Sequence, residues 1–86
     1  MYLSEYAWPD ADGADTDLAV LPVGSTEQHG PHAPLGTDVL TAEAVADAGV
    51  GRFDGEVVVA PPIHIGVAAE HRHFAGTLWV SEDTFR

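Results

Sequence analysis

Within LPVGSTEQHGPHAPLGTD, Leu21 to Asp38, a glutamate, two histidines and an aspartate gather in a segment punctuated by glycine and proline. Glu27 and His29 stand two apart, so an extended backbone projects both side chains to the same side. Asp38 follows nine residues after His29, and Gly30, Pro31, Pro34 and Gly36 lie between them and allow the chain to fold back. Imidazole combined with carboxylates suits a divalent ion such as zinc or manganese, and the two oxygens of Asp38 could bridge a pair of ions. The chain has no cysteine, so any metal it holds must use these ligand types. The competing reading is local: Asp38 caps a helix, where the dipole favours its charge, and Glu27 and His29 face water. The two roles are compatible at Asp38, because a carboxylate fixed by backbone N–H groups is well oriented for a metal.

The flanking elements decide whether these residues can meet. LAVLPVGS, Leu18 to Ser25, is a short apolar run ended by proline and glycine, which predicts a strand buried on both faces. TDVLTAEAVADAGVG, Thr37 to Gly51, predicts a helix with Thr37 or Asp38 as N-cap, Leu40, Ala44 and Ala48 on one face, and Gly49 as its stop. GEVVVAPPIHIG, Gly55 to Gly66, is a second β-branched run, so the order strand, loop, helix, strand reads as a right-handed β-α-β unit with parallel strands. The acidic loop then sits after the C-terminal end of a parallel strand, where open α/β sheets bind ligands. VAAEHRHFAGTLWV, Val67 to Val80, predicts a His-rich loop and a third strand near Thr77 to Val80. The N-terminal MYLSEYAWPDADGADTD predicts one helical turn before Pro9 and then a solvated loop. SEDTF opens a helix with Ser81 as N-cap just before Arg86, so residues 1–86 are expected to be a single N-terminal portion of a longer domain.

Composition narrows the function classes. Fourteen acidic residues face three basic ones, all arginine, for a formal charge of -11. Such a chain repels phosphate backbones and anionic lipid, which argues against nucleic-acid and membrane-surface partners. Charge of this sign also suits a salt-loving source, where screening suppresses self-repulsion, and the absence of lysine favours that reading over an ordinary acidic protein. No apolar run approaches the length needed to span a bilayer, and the N-terminus lacks the basic start and apolar core of a signal peptide, so a cytoplasmic location is expected.

LPVGSTEQHGPHAPLGTD resembles the signature of the creatininase (creatinine amidohydrolase) family, and GVAAEHRHFAGTLWV resembles that family's second block. The likeness runs from about Leu21 to the end of the chain. The resemblance implies a layered α/β/α fold with a mainly parallel sheet, of which the N-terminal part is present. It also implies a homo-oligomer, commonly a hexamer, and two divalent metals, zinc or manganese with iron also admissible, that activate water against the C–N bond of a cyclic or linear amide. Carried over by position, Glu27 would ligate one metal, His29 the other, and Asp38 would bridge them. His32, Glu70 and His71 would lie on the substrate side or behind the ligands. The family pattern also needs a later histidine, a later acidic ligand and an acid–base glutamate, none of which falls within 86 residues, so no catalytic residue is assigned. Ala68 stands where a serine is often expected. The family includes a deformylase and a peptide-cleaving enzyme, which leaves the substrate open.

Other residues carry weaker expectations. His73 belongs to the same loop as His71, His64 reads as a core histidine on an apolar strand, and Trp8 and Trp79 read as packing or interface residues. Ser25 lacks the G-x-S-x-G setting of a serine nucleophile, and GSTEQHG lacks the lysine and spacing of a phosphate loop. A rival from another class remains: a catalytically dead truncated product, or a module that binds metal weakly or pairs with a partner. Three ligands hold two metals poorly, so metal stoichiometry separates the two readings.

Overall fold

The structure is a computed structural model that describes residues 1–86. Two short strands, β1 (Ala19–Val20) and β2 (Val58–Val59), pair in parallel with Ala19 opposite Val58 and Val20 opposite Val59. Helix α2 (Thr37–Arg52) connects them, and two shorter helices, α1 (Trp8–Asp12) and α3 (Glu82–Phe85), lie near the ends of the chain. The β-α-β expectation is therefore met.

The strands are short because proline interrupts their ladder. Pro22, Pro61 and Pro62 offer no N–H, so regular pairing cannot propagate past Val20 and Val59. The two segments nevertheless stay side by side. Ile63 N donates to Pro22 O at 2.9 Å, Gly24 N to Ile63 O at 2.9 Å, and Val23 pairs with Ile63 as a single parallel bridge. The expected third strand is also present only in part: Trp79 forms a single parallel bridge with Gly66, while Val80 N donates to Gly66 O at 3.1 Å and Leu78 N to Thr26 O at 2.9 Å. On the other side of β2 lies the N-terminus, whose Met1 ammonium donates to Val57 O at 2.8 Å and whose carbonyl accepts from Val59 N at 2.7 Å.

Helix α2 departs from expectation at both ends and in its facing. Its N-cap is Gly36, while Thr37 is the first helical residue and its hydroxyl donates to Pro34 O. It passes through Gly49 and ends at Arg52, with Phe53 N bonded to Gly49 O and Val50 O. Gly49 does not adopt the positive φ that stops a helix; the nearest glycine that does is Gly55. Leu40, Ala44 and Ala48 are exposed, and the inward edge instead runs through Val39, Ala42, Glu43, Ala46 and Val50. Close approach of Gly24 to Val39, described below, draws that edge inward.

The helical turn expected before Pro9 is present as a single 3-10 turn, Leu3–Glu5, while the stretch expected to be loop is partly helical: Pro9 falls in the first turn of α1, where proline is tolerated, and Asp10 accepts from Ala7 N at 3.1 Å to close it. Ser81 caps α3 as expected, accepting from Thr84 N at 3.1 Å. Val39, Val57, Val59 and Ala68 form the apolar core between α2, β2 and the second loop. Tyr2 ties the N-terminus to α2 by donating its hydroxyl proton to Asp47 Oδ1. That bond, together with the negative charge of Asp47, holds the Tyr2 hydroxyl above its ordinary pKa. No helix is long and apolar enough to cross a membrane.

Candidate metal centre

Close backbone approach sets the site. After β1 the chain passes directly over the first turn of α2, and a Cβ built at Gly24 would lie 2.6 Å from Val39 N and 2.9 Å from Asp38 C. Only glycine lets the loop cross there. Three residues later Glu27 N donates to Leu35 O at 3.1 Å, which ties the two arms of the loop together, and Thr26 Oγ1 donates to His64 O at 2.7 Å. The second loop docks on the first at Gly76, whose φ of +87° suits glycine and where a Cβ would meet Leu35 Cδ1.

These contacts bring Glu27, His29 and Asp38 together. His29 Nε2 lies 3.2 Å from Asp38 Oδ1 and 3.8 Å from Glu27 Oε1. Two donors bound to one tetrahedral ion at about 2.1 Å stand roughly 3.4 Å apart, so the spacing matches what a shared cation requires. His29 Nε2 is also buried and makes no hydrogen bond of acceptable angle, although Asp38 Oδ1 lies 3.2 Å away. A buried polar nitrogen normally finds a partner, and here the space it faces is lined by two carboxylates. The donor set and the orphaned nitrogen both fit a divalent cation.

Asp38 does not act as a side-chain cap. Its charge still lies in the first turn of α2, at the favoured end of the helix dipole, while its carboxylate turns to His29.

A second group forms on the other side of Glu27. His71 Nε2 is 3.9 Å from Glu27 Oε2 and 3.9 Å from Glu70 Oε1. His71 sits in a single 3-10 turn, Ala69–His71, and its carbonyl accepts from Thr77 Oγ1 at 2.9 Å. His32 is exposed, packs over Gly30 and stands apart from both groups. His73 is exposed. His64 is exposed too, contrary to the core placement expected: it lies beyond the end of β2, in a segment whose Ile63 and Ile65 are also exposed. Trp8 is 79% exposed and does not pack, while Trp79 is half-exposed. Ala68, where a serine was expected, is among the most buried residues at 1% exposure. Gln28 had drawn no notice in the sequence, although it lies between two candidate ligands. Its Nε2 bonds His71 Nδ1 at 3.0 Å and its Oε1 accepts from Gly30 N at 2.9 Å.

The sequence model of the creatininase family, described as creatinine amidohydrolase, matches residues 4–86. The chain belongs to the creatininase family. It is 43% identical over 89 residues to the mycofactocin precursor peptide peptidase of Mycolicibacterium smegmatis, covering 90% of this chain and 36% of that protein. It is 40% identical over 70 residues to the 3-dehydro-scyllo-inosose hydrolase of Thermotoga maritima, covering 80% of this chain and 22% of that one. Among solved structures, a tryptophan-to-alanine variant of creatininase superposes with a TM-score of 0.82 at 27% identity over 96% of this chain and 35% of that one. A glutamate-to-glutamine variant of creatininase in its Zn–Zn form gives the same TM-score and identity over 96% of this chain and 34% of that chain. The α/β fold with parallel strands is thus the creatininase fold. The chain spans about a third of the length of the M. smegmatis peptidase and of these creatininases.

Proposed function

We propose that this chain contributes part of the metal centre of a creatininase-family amidohydrolase, with Glu27, His29 and Asp38 as its ligands. The observation that carries the reading is the buried, unpartnered His29 Nε2 facing the carboxylates of Asp38 and Glu27. A divalent cation supplies Lewis acidity here, making a water nucleophilic near neutral pH and polarising the carbonyl of the scissile amide. The protein's part is to hold the donors in place. Asp38 is fixed by the first turn of α2, Glu27 by its backbone bond to Leu35, and both carboxylates supply the negative charge that retains a cation. The free oxygen of Asp38 leaves it able to serve a second ion, and zinc, manganese and iron all accept this donor set.

The substrate proposed is an amide within a peptide or a small molecule, with the peptide favoured by the 43% identity to a precursor-peptide peptidase. Assembly into a homo-oligomer, a hexamer by resemblance to the family, belongs to the same proposal. The test is metal content and amide hydrolysis in the full chain and in Glu27→Ala, His29→Ala and Asp38→Ala. Each variant is expected to lose most bound metal and turnover. Retention of both in all three variants sinks the proposal, and weak substoichiometric metal without turnover in the parent chain favours the inactive-module alternative.

A further inference from the structure

The Glu27 carboxylate lies between two imidazoles, its side chain only 13% exposed. Oε1 faces His29 Nε2 at 3.8 Å and Oε2 faces His71 Nε2 at 3.9 Å. The proton on His71 can be located from its partners. Gly30 N can only donate, so the Gln28 atom 2.9 Å away must be its carbonyl oxygen. The other end of Gln28 is then the NH₂ group, which can only donate, so His71 Nδ1 at 3.0 Å is an acceptor. A neutral imidazole that accepts at Nδ1 carries its proton on Nε2. The ring therefore presents an N–H, not a lone pair, to Glu27 Oε2 and to the more exposed Glu70 Oε1, each 3.9 Å away and beyond hydrogen-bond length.

We infer that His71, set in its tautomer by Gln28, is a positioning residue that holds Oε2 of Glu27 and leaves Oε1 free for the cation beside His29. The inference rests on the metal-centre reading. It excludes His71 as a metal ligand in this arrangement, although Glu27, Glu70 and His71 come close enough to suggest a second ligand group. Ligating carboxylates are commonly hydrogen-bonded on their free oxygen, and such contacts lengthen in unliganded sites and tighten when the site fills. The backbone favours the role: Phe74 N at 3.0 Å and Thr77 Oγ1 at 2.9 Å both donate to His71 O. The tilted ring of Phe74 stands 6.4 Å from the imidazole.

The test titrates zinc alone into the full chain against a chromophoric chelator, with circular dichroism confirming the fold of each variant. His71→Leu is expected to bind zinc at least about tenfold more weakly, and His71→Gln, whose amide N–H falls near the position of the imidazole Nε2–H, to return to within about threefold of the parent. Nitrogen NMR of the imidazoles is expected to show His71 protonated at Nε2 and bare at Nδ1. Unchanged affinity in His71→Leu, a folded His71→Gln that restores nothing, or a proton on Nδ1 overturns the inference. Should His29→Ala and Asp38→Ala also bind zinc normally, the metal-centre reading itself fails; should they lose zinc while His71→Leu keeps it, only the role of His71 fails.

Discussion

Replacing Gly24 with alanine tests the geometry that assembles the site. The new Cβ would lie 2.6 Å from Val39 N and 2.7 Å from Val39 Cγ2, whereas ordinary contact begins at 3.4 Å, so about 0.8 Å must be found. The obstructing atoms include backbone at the start of α2, which cannot rotate away as a long side chain can. Either the loop lifts or the helix end retreats. Both movements widen the 3.2 Å separation of His29 Nε2 and Asp38 Oδ1, because His29 travels with the loop and Asp38 with the helix. Overpacking of this kind costs roughly 1–3 kcal/mol. Ligand displacement approaching 1 Å should also weaken metal binding by about 10-fold to 100-fold, the range in which misplaced site groups are felt. The assay pairs a urea unfolding midpoint with zinc competition in the full chain. Gly49→Ala is the control, since nothing lies within 4 Å of its added Cβ and it sits inside α2. Alanine there should raise stability by about 0.5–1 kcal/mol and leave zinc affinity unchanged. A Gly24→Ala protein with the parent's midpoint and affinity would refute the claim that this crossing sets the site.

Two further outcomes follow from charge. The Asp47 bond favours the protonated Tyr2 hydroxyl, so this tie supports the fold below the ordinary tyrosine pKa and is lost as pH climbs through the raised value. In an ultraviolet titration one of the two tyrosines should ionise late, Tyr2→Phe should remove that component, and Asp47→Asn should move it back toward the ordinary value; a late component that survives Tyr2→Phe contradicts the assignment. With a net charge of -11, the thermal midpoint should rise as potassium chloride goes from about 0.1 M to 1 M, where the screening length falls from roughly 10 Å to 3 Å. A flat or falling midpoint would count against the salt-adapted reading of the composition.

Much of the candidate site was legible because Glu27, His29 and Asp38, which the structure brings together, lie within one short segment, and the β-α-β order places that segment after a parallel strand. What the sequence could not convey was the depth of contact between elements. Leu40, Ala44 and Ala48 share a helical face and are the obvious inward stripe, yet Gly24 pulls Val39 inward and turns the larger Leu40 to solvent. Gly49 reads as a stop, but a glycine ends a helix only when it takes a positive φ. Pro9 had two meanings, breaker and first-turn residue, and composition alone does not choose between them. Gln28 was overlooked because a glutamine in a polar loop carries no chemistry of its own; its role comes from Gly30 on one side and His71, 43 residues away, on the other.

The same economy of burial makes stability a sensitive reporter of the metal. Only six of 86 residues are buried, and Leu21, Val23, Ile63, Ile65, Val80 and Phe85 line an open apolar groove rather than a closed core. A ligand that joins the loop at Glu27 and His29 to the helix at Asp38 adds a cross-link where packing supplies little. Binding only to the folded state contributes about 2.7 kcal/mol at a free zinc concentration 100 times the dissociation constant. For a domain of this size each kcal/mol moves the midpoint by about 4–8 °C, so zinc should raise it by about 10–20 °C. The comparison is a melt with zinc against a melt with chelator, repeated on His29→Ala, which keeps the rest of the acidic surface and should lose the shift. An equal shift in His29→Ala would assign the effect to diffuse binding by the carboxylates. A parent chain with no shift at zinc levels that saturate the competition assay would show that the bound ion does not link loop to helix, and the spatial argument for the three ligands would fail with it.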